Sequence, residues 1–159
     1  MTESTSDDTT WEEIYVIEAT IDDMNPQWFR FLRKKLFSAG ALDVQLTSTM
    51  MKKERVGQSL KILVPLEQRD KLVSLIFQHS TTIGLRCRRE KRIVLKRDFF
   101  IVDTPYGPIA MKRAFWQGEV INVQPEYDDC VKAAHSCDVS IKEVYQRALS
   151  AYYSQHVDY

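Results

Sequence analysis

The feature that most constrains the fold is the hydrophobic period, which changes repeatedly along the first 98 residues. Residues 13–21, EIYVIEATI, are β-branched and mostly apolar, as in a strand buried on both faces. Asn25 and Pro26 then form a typical helix start, because asparagine caps free amides and proline loses no hydrogen bond at the first helical position. The core-facing stripe of this helix is predicted from apolar residues that recur every four positions, Trp28, Leu32 and Leu36.

Four further segments continue this pattern of alternating periods. Residues 41–51 alternate apolar and polar side chains, which is the period of a strand, and 60–66 form another short apolar run. Residues 67–80 return to helical spacing, and 81–99 form a long, basic strand. The order strand, helix, strand, strand, helix, strand predicts an α+β protein with a ferredoxin-like βαββαβ plait, an antiparallel sheet with two helices on one face.

The C-terminal part of the chain predicts an extension of this plait. Pro105 and Gly107 suit a type I turn, so residues 102–116 are expected to form a β-hairpin. Two segments with helical spacing follow, at 128–136 and 139–153. They predict a C-terminal helical pair.

Length and composition restrict the class of protein. The 159 residues suit one domain, expected over 13–155 behind a disordered tail at 1–12. Lys plus Arg and Asp plus Glu number 22 each, and a net charge of zero argues against binding nucleic acid or membranes through bulk charge. No apolar stretch approaches the roughly 20 residues of a membrane span, and the acidic start lacks the features of a signal peptide. Three cysteines without a CxxC pair favour a reducing cytoplasm.

Two adjacent acids, Asp22 and Asp23, lie where the first predicted strand ends and the first helix begins. In one interpretation Asp23 complements the helix dipole and Asp22 is a solvated turn residue. In the other, the two carboxylates bind a hard cation, because Mg²⁺ or Mn²⁺ needs such groups alongside phosphate oxygens. A bound divalent ion would offset the repulsion between the neighbouring charges.

Basic residues also collect at the ends of the predicted strands. If these ends share one edge of the sheet, the residues form a polyphosphate cradle, because arginine forks and lysine charges match phosphate oxygens. The alternative is that each run is a solvated face. The residues are Lys52, Lys53 and Arg55 after the second strand, Arg86, Arg88 and Arg89 after Thr81, Thr82 and Gly84, and Lys112 and Arg113 in the hairpin.

A second acidic cluster, PEYDDC, opens a predicted helix near the C-terminus. The simplest interpretation is that Asp128 or Asp129 caps the helix. The soft metal ligands Cys130, His135 and Cys137 follow at spacings that do not share one helix face. Both cysteines are therefore expected in the core, and the histidine on the surface.

Four motifs occur in order along the chain, IDDMNP (21–26), AGALDV…MKKERVG (39–57), TTIGLR (81–86) and PEYDDC (125–130). Together they resemble the C-terminal domain of the LarC-type nickel insertion proteins, over about residues 13–150. The resemblance implies a CTP-dependent nickel chelatase, a lyase, that inserts nickel into pyridinium-3,5-bisthiocarboxylic acid mononucleotide for the lactate racemase cofactor. It also implies CTP bound with Mg²⁺ or Mn²⁺, activation of the substrate by cytidylyl transfer, and trimer-based oligomers.

The resemblance also implies roles for individual residues, with no catalytic residue assigned. The residues are Asp22 and Asp23 for Mg²⁺ or Mn²⁺, Lys52, Lys53, Arg55, Arg86 and Lys112 for the phosphates, Thr81 and Thr82 for phosphate or base, and Glu126 and Asp128 for metal, ribose or a neighbouring subunit.

The chain departs from the family pattern in three ways. Gln27 replaces the glutamate that usually follows the proline of the first motif, which removes one candidate metal ligand, and Val56 replaces a proline. The long N-terminal domain of the family is absent, so complete chelatase activity is expected to need that domain as a partner. A regulatory nucleotide-binding module without turnover is the alternative function. RNA binding through the basic segment 86–97 is disfavoured by the zero net charge.

Overall fold

The computed structural model describes residues 9–156, which form two compact units. The first unit comprises Trp11–Arg92, and the second comprises the chain from Ile93 onward together with Thr9 and Thr10. No helix within the described range is both long and apolar enough to cross a membrane. The expectation of a single domain over 13–155 stays a prediction.

The first unit contains six main elements and has the predicted topology. Its sheet has the order β2-β3-β1-β4, and β3 pairs antiparallel with both β1 and β2. Short 3₁₀ turns precede β3 and α2. The α+β, ferredoxin-like βαββαβ plait is therefore confirmed. The elements are β1 (Thr9–Ile21), α1 (Pro26–Ser38), β2 (Asp43–Met51), β3 (Arg55–Pro65), α2 (Arg69–His79) and β4 (Arg86–Leu95).

The core of the first unit lies between one face of this sheet and the two helices. Alternate residues of β1 point into it, because successive strand side chains face opposite sides. In register, Ile17 lies opposite Ile62, and Ala19 lies opposite Leu60. The helices contribute Phe29, Leu32 and Leu36 from α1 and Leu72 and Ile76 from α2.

The start of α1 is confirmed, but its buried face differs from the prediction. The Asn25 side chain accepts a hydrogen bond from the Gln27 amide at 3.0 Å, and Pro26 is the first helical residue. Trp28 is 53% exposed, however, whereas Phe29 is buried. The buried residues follow an i, i+3, i+7 spacing, and a residue one position earlier is rotated by about 100° away from that face.

The second unit is a three-stranded antiparallel sheet covered by two helices. The strand order is β5-β6-β7, and the core includes Val102, Met111, Val123, Cys130 and Val144. The predicted C-terminal helical pair is confirmed. The elements are β5 (Arg97–Thr104), β6 (Gly107–Trp116), β7 (Glu119–Pro125), α3 (Tyr127–Cys137) and α4 (Ile141–His156).

Two predicted strand boundaries are corrected in this part of the chain. The basic segment 81–99 is not one strand, because β4 ends at Leu95 and Arg97–Thr104 pairs with β6. The predicted hairpin over 102–116 is therefore part of a larger sheet, to which β7 adds a third strand. Its turn has Gly107 at a φ of 99°, a conformation that glycine adopts without a steric cost.

Three smaller expectations have mixed outcomes. Of the expected tail 1–12, residues 1–8 lie outside the described range. Residues 9–12 belong to β1, where the Glu12 carboxylate accepts hydrogen bonds from Arg92 at 2.7 and 2.9 Å, so this strand starts earlier than predicted. Cys130 is buried and His135 is exposed, as expected, whereas Cys137 is exposed at the last turn of α3.

Candidate functional site

The first part of the site is the connection between β1 and α1. The alternating burial of β1 ends at Ile21, where the chain turns out of the sheet. Asp22 and Asp23 occupy this bend, and Met24 separates them from Asn25, the residue that caps α1. The fold therefore places two carboxylates together at one end of the sheet and beside a helix N-terminus, where backbone amides favour negative charge.

The second part is the tight connection between β2 and β3. It is a single short turn, Lys52–Glu54, in which Lys53 and Glu54 both have a φ of 60°. This left-handed conformation is uncommon for residues other than glycine. Arg55 then starts β3, and its Nη1 atom donates a hydrogen bond to Asp22 Oδ2 at 3.3 Å.

Gly57 allows this connection to pass close to the end of β1. A methyl group built on Gly57 would lie 2.7 Å from the carbonyl oxygen of Ile21 and 3.2 Å from Asp22 Cα. It would also lie 2.5 Å from the sulfur of Met51. Any larger residue at this position would push the two strands apart, so the glycine of the second motif has a packing role.

The third part is the connection between α2 and β4. Thr81 Oγ1 donates a short hydrogen bond of 2.5 Å to Asp23 Oδ1. Thr82 Oγ1 donates to the carbonyl oxygen of Gly84 at 2.7 Å, which tightens the loop before Arg86 starts β4. Threonine hydroxyls form local turns of this kind and keep lone pairs for further contacts.

These hydrogen bonds bring three predicted motifs together at one end of the sheet. Asp22 meets Arg55 across 33 residues, and Asp23 meets Thr81 across 58 residues. The exposed side chains of Lys52 and Lys53 lie in the same turn as Arg55, and Thr82 and Arg86 lie in the same connection as Thr81. The roles of these residues in binding stay predictions.

An open groove of about 300 Å³ adjoins these residues on β1 and β4. It is lined by Glu18, Thr20, Gly84 and Arg86, among others. Glu18 is not among the site residues predicted from the sequence. Its position in β1, where alternate residues face away from the helices, is the feature that could have identified it. It accepts a hydrogen bond from Arg88 at 2.7 Å.

The positive charges around this groove lower the pKa of one carboxyl group, that of Glu18. The hydrogen bond from Arg88 is the main cause that lowers the pKa of Glu18, and the charges of Arg88, Lys61 and Arg86 lower it further. Partial burial of the carboxyl acts in the opposite direction. Glu18 therefore stays ionised near neutral pH and orients the arginine beside the groove.

The aspartate pair fits a cation that is shared with a ligand. In the part of the chain that the structure describes, no three His, Cys, Asp or Glu side chains form a complete metal cluster. Asp22 uses Oδ2 for Arg55, and Asp23 uses Oδ1 for Thr81. Each carboxylate thus keeps one oxygen that no described residue contacts, and Mg²⁺ commonly takes one or two carboxylates together with phosphate oxygens.

The other predicted site residues belong to the second unit. Lys112 lies in β6 and forms an ion pair with Glu126 at 3.2 Å, so these two charges offset one another. Asp128 lies in the first turn of α3, but no side chain caps this helix. The neighbouring Asp129 instead accepts a hydrogen bond from the Ala110 amide at 3.2 Å and connects α3 to β6.

The chain is similar to known proteins of one family. The family model described as "Nickel insertion protein" matches residues 1–145. A putative nickel insertion protein of Cyanothece sp. is 40% identical over 145 residues, which are 91% of this chain and 35% of that protein. A pyridinium-3,5-bisthiocarboxylic acid mononucleotide nickel insertion protein of Clostridium kluyveri is 38% identical over 135 residues, 85% of this chain and 34% of that protein. The chain thus spans about a third of the length of these curated relatives.

Two solved structures share the fold. LarC2, the C-terminal domain of a cyclometallase involved in the synthesis of the NPN cofactor of lactate racemase, matches in its apo form with a TM-score of 0.85 and 36% identity. The match covers 90% of this chain and 99% of that domain. A Methanopyrus kandleri protein matches with a TM-score of 0.65 at 20% identity, over 92% of this chain and 91% of its own, which shows the common fold alone.

Proposed function

This chain belongs to the nickel insertion protein family, and we propose its function on that basis. The chain binds CTP together with Mg²⁺ or Mn²⁺. It does so as the C-terminal part of a nickel chelatase that inserts nickel into pyridinium-3,5-bisthiocarboxylic acid mononucleotide, for the cofactor of lactate racemase. This assignment follows relatives whose names carry that substrate and a solved domain with the same fold.

The observation that carries the nucleotide part of the proposal is the meeting of three connections at one end of the first sheet. The Arg55–Asp22 and Thr81–Asp23 hydrogen bonds tie these connections together. Acidic, basic and hydroxyl side chains therefore face the same volume. A triphosphate with a divalent cation needs this mixture, because its anionic oxygens require both a metal ion and cationic donors.

The aspartates would hold the divalent cation. Their two uncontacted oxygens lie on adjacent residues, and the contacts with Arg55 and Thr81 fix the orientation of both carboxylates. A bound Mg²⁺ or Mn²⁺ would supply neutralisation of the phosphate charge. Gln27 stands where the family usually has a glutamate, which removes one candidate ligand, so the pair bears most of the coordination by the protein.

The basic residues would hold the phosphates. Lys52 and Lys53 are exposed in the left-handed turn beside Arg55, and the strain of that turn supports a binding role, since such backbone geometry is common at functional sites. Arg86, with Thr81 and Thr82, would contact the nucleotide from the α2–β4 connection. Lys112, Glu126 and Asp128 of the second unit are proposed as further contacts to phosphate, metal or a neighbouring subunit.

Nickel insertion itself is proposed for a protein as long as the curated relatives, of whose length this chain spans about a third. Nickel is then the inserted substrate metal, and the N-terminal LarC-type domain is the partner that completes the chelatase. A homo-oligomer built from trimers and a cytoplasmic location complete the proposal. The cytoplasm suits the three free thiols, of which two are exposed.

A thermal-shift comparison of nucleotides and metals tests the binding function. CTP with Mn²⁺, at one hundred times the Kd, is expected to stabilise the chain by about 2.7 kcal/mol and to raise Tm by roughly 5–10 °C, because it binds the folded state alone. ATP, GTP and UTP are expected to give smaller shifts. Removal of Mn²⁺ should reduce the shift with CTP.

Variants locate the effect at the predicted residues. Asp22→Ala and Lys52→Ala are expected to lose most of the CTP shift, whereas Lys34→Ala, a matched lysine exposed on α1, should keep it. The absence of a shift with every nucleoside triphosphate would overturn the proposal. Release of pyrophosphate, measured once the N-terminal domain and substrate are supplied, separates a chelatase from a regulatory module that binds without turnover.

A further inference from the structure

A second group of cationic side chains surrounds Tyr15, midway along β1. Tyr15 precedes Asp22 by seven residues, and a strand rises by about 3.3 Å per residue, so the two positions are roughly 20 Å apart along β1. The cluster belongs entirely to the first unit. It is separate from the proposed nucleotide site, and nothing in the proposed function depends on it.

Two arginines contact the same phenol. Arg69, the first residue of α2, donates a hydrogen bond from Nη1 to the Tyr15 hydroxyl at 3.2 Å, and Arg89 of β4 donates one from Nε at 3.0 Å. Both guanidinium groups also lie over the ring, 5.2 and 5.4 Å from its centroid. Three different elements thus hold two cations around one aromatic side chain.

The charges of this cluster are only partly compensated. Arg69 forms an ion pair with Asp70 at 2.7 Å. Arg89 has no carboxylate partner among the residues that the structure describes, whereas its neighbours Arg88 and Arg92 on the same strand pair with glutamates. Two guanidinium groups that share a ring repel each other, and an additional anion would offset that cost.

Apart from the Asp70 carboxylate, which pairs with Arg69, the groups left available at this cluster are donors. The terminal amino groups of Arg89 form no hydrogen bond with a residue in the described part of the chain, although the charge of Glu13 acts on this guanidinium. These two groups form the face of a guanidinium that binds two oxygens at once. The Tyr15 oxygen already accepts two hydrogen bonds, which leaves its own proton to donate. The same environment lowers the pKa of Tyr15, chiefly through the hydrogen bond from Arg89.

We propose that Tyr15, Arg69 and Arg89 form a second anion site, which binds inorganic phosphate or the phosphate group of a small phosphomonoester. Donors that converge from three elements suit a tetrahedral anion, because its oxygens point in several directions. A planar carboxylate, with two oxygens in one plane and one charge, would satisfy the Arg89 fork but leave the Tyr15 hydroxyl and the remaining Arg69 donors unused.

NMR of the arginine Nε–H groups tests the site directly. Inorganic phosphate and, separately, glycerol 3-phosphate are titrated into the whole chain at constant ionic strength, with acetate as the planar anion. The signals of Arg69 and Arg89 are expected to shift saturably with both phosphates, and only weakly with acetate. The signals of Arg55 and Arg86 report the nucleotide site in the same spectra, so a failure at one site is distinguishable from a failure at the other.

Substitutions separate a bidentate arginine from a mere positive charge. Arg89→Ala is expected to weaken phosphate binding at least tenfold, Arg89→Lys to restore part of it, and Tyr15→Phe to give an intermediate loss with the ring retained. Arg92→Ala is the matched control and should bind phosphate as the unchanged chain does, because Glu12 already neutralises Arg92. Absence of a saturable shift at Arg89, equal affinity for acetate, or an equal loss in Arg92→Ala would overturn the proposal.

Discussion

At the scale of single residues, Gly57 links the packing of two strands to the candidate site. It lies in β3 beside the end of β1, where even one methyl group would come within 2.7 Å of a backbone oxygen. The chain there carries Asp22 on one side and Arg55 on the other. A disturbance at Gly57 therefore acts on stability and on the candidate site together.

We expect Gly57→Ala to destabilise the first unit by about 1–3 kcal/mol, because the added Cβ forces neighbouring backbone to move in a packed region. Urea unfolding followed by circular dichroism measures this loss. The CTP-dependent thermal shift should also decrease.

Gly84→Ala is the matched control for this change. Nothing lies within 4 Å of a Cβ built on Gly84, so its stability should stay within about 0.5 kcal/mol of the unchanged chain. Equal effects of the two substitutions would show that the close approach at Gly57 is unimportant.

At the scale of elements, the β5–β6 ladder includes a cross-strand ion pair. Asp98 lies opposite Arg113, and the two form a bidentate contact at 2.9 and 2.6 Å. The Arg113 guanidinium also lies over the ring of Phe100, 4.6 Å from its centroid. The hydrogen bond from Arg113 lowers the pKa of Asp98 below its usual value. This pairing helps to explain why Arg97–Thr104 joins the second sheet rather than extending β4.

We expect Asp98→Asn to lower the stability of the second unit at pH 7 by about 0.2–1 kcal/mol, since the pair is partly exposed to solvent. A carboxyl whose pKa is lowered in the folded state contributes to stability at pH values above its unfolded pKa of about 3.9. This contribution to stability is lost as the pH falls through the pKa of the folded state. The difference between the two proteins should therefore shrink below about pH 4.

Urea unfolding at a series of pH values measures this difference. Asp103→Asn, an exposed acid on the same strand, is the control and should change stability little at any pH. A difference for Asp98→Asn that persists unchanged at pH 2 would contradict a charge-based contribution.

At the scale of the whole molecule, the chain has two separate hydrophobic cores. The first consists of residues between Ile17 and Ile76, and the second of residues between Val102 and Tyr152. The three cysteines differ in their burial in these cores. Cys130 is fully buried in the second core, and this burial raises the pKa of its thiol, while Cys87 and Cys137 are exposed.

We expect two thiols to react rapidly with Ellman's reagent in the folded chain, and Cys130 to react slower by orders of magnitude. Its reaction requires opening of the second core, because only an accessible thiolate attacks the reagent. The rate at Cys130 should rise with urea in parallel with unfolding of the β5–α4 region. Three equally fast thiols would contradict the packing of α3, and the Cys130→Ala variant identifies the slow group.

The site was predictable from the sequence in its parts, but not in its arrangement. The aspartate pair, the basic turn and the threonine loop each stood out, because each is a short motif beside a strand end. Glu18 and the Tyr15 cluster were not identified, because each is a polar residue in a strand whose partners are far along the chain. Trp28 shows the same limit, since the rotation of α1 depends on what the sheet presents to it.

The amino-acid sequence by itself determined the order of elements in the first unit, the cap of α1, the turn at Gly107 and the family. Those features depend on residues a few positions apart, whose periodicity and backbone preferences act locally. Only the tertiary structure decided which charges meet: Asp22 with Arg55, Asp23 with Thr81, and Tyr15 with Arg89, across 33, 58 and 74 residues. Such contacts follow from strand order and register, because a shift of one residue turns every side chain of a strand to the opposite face.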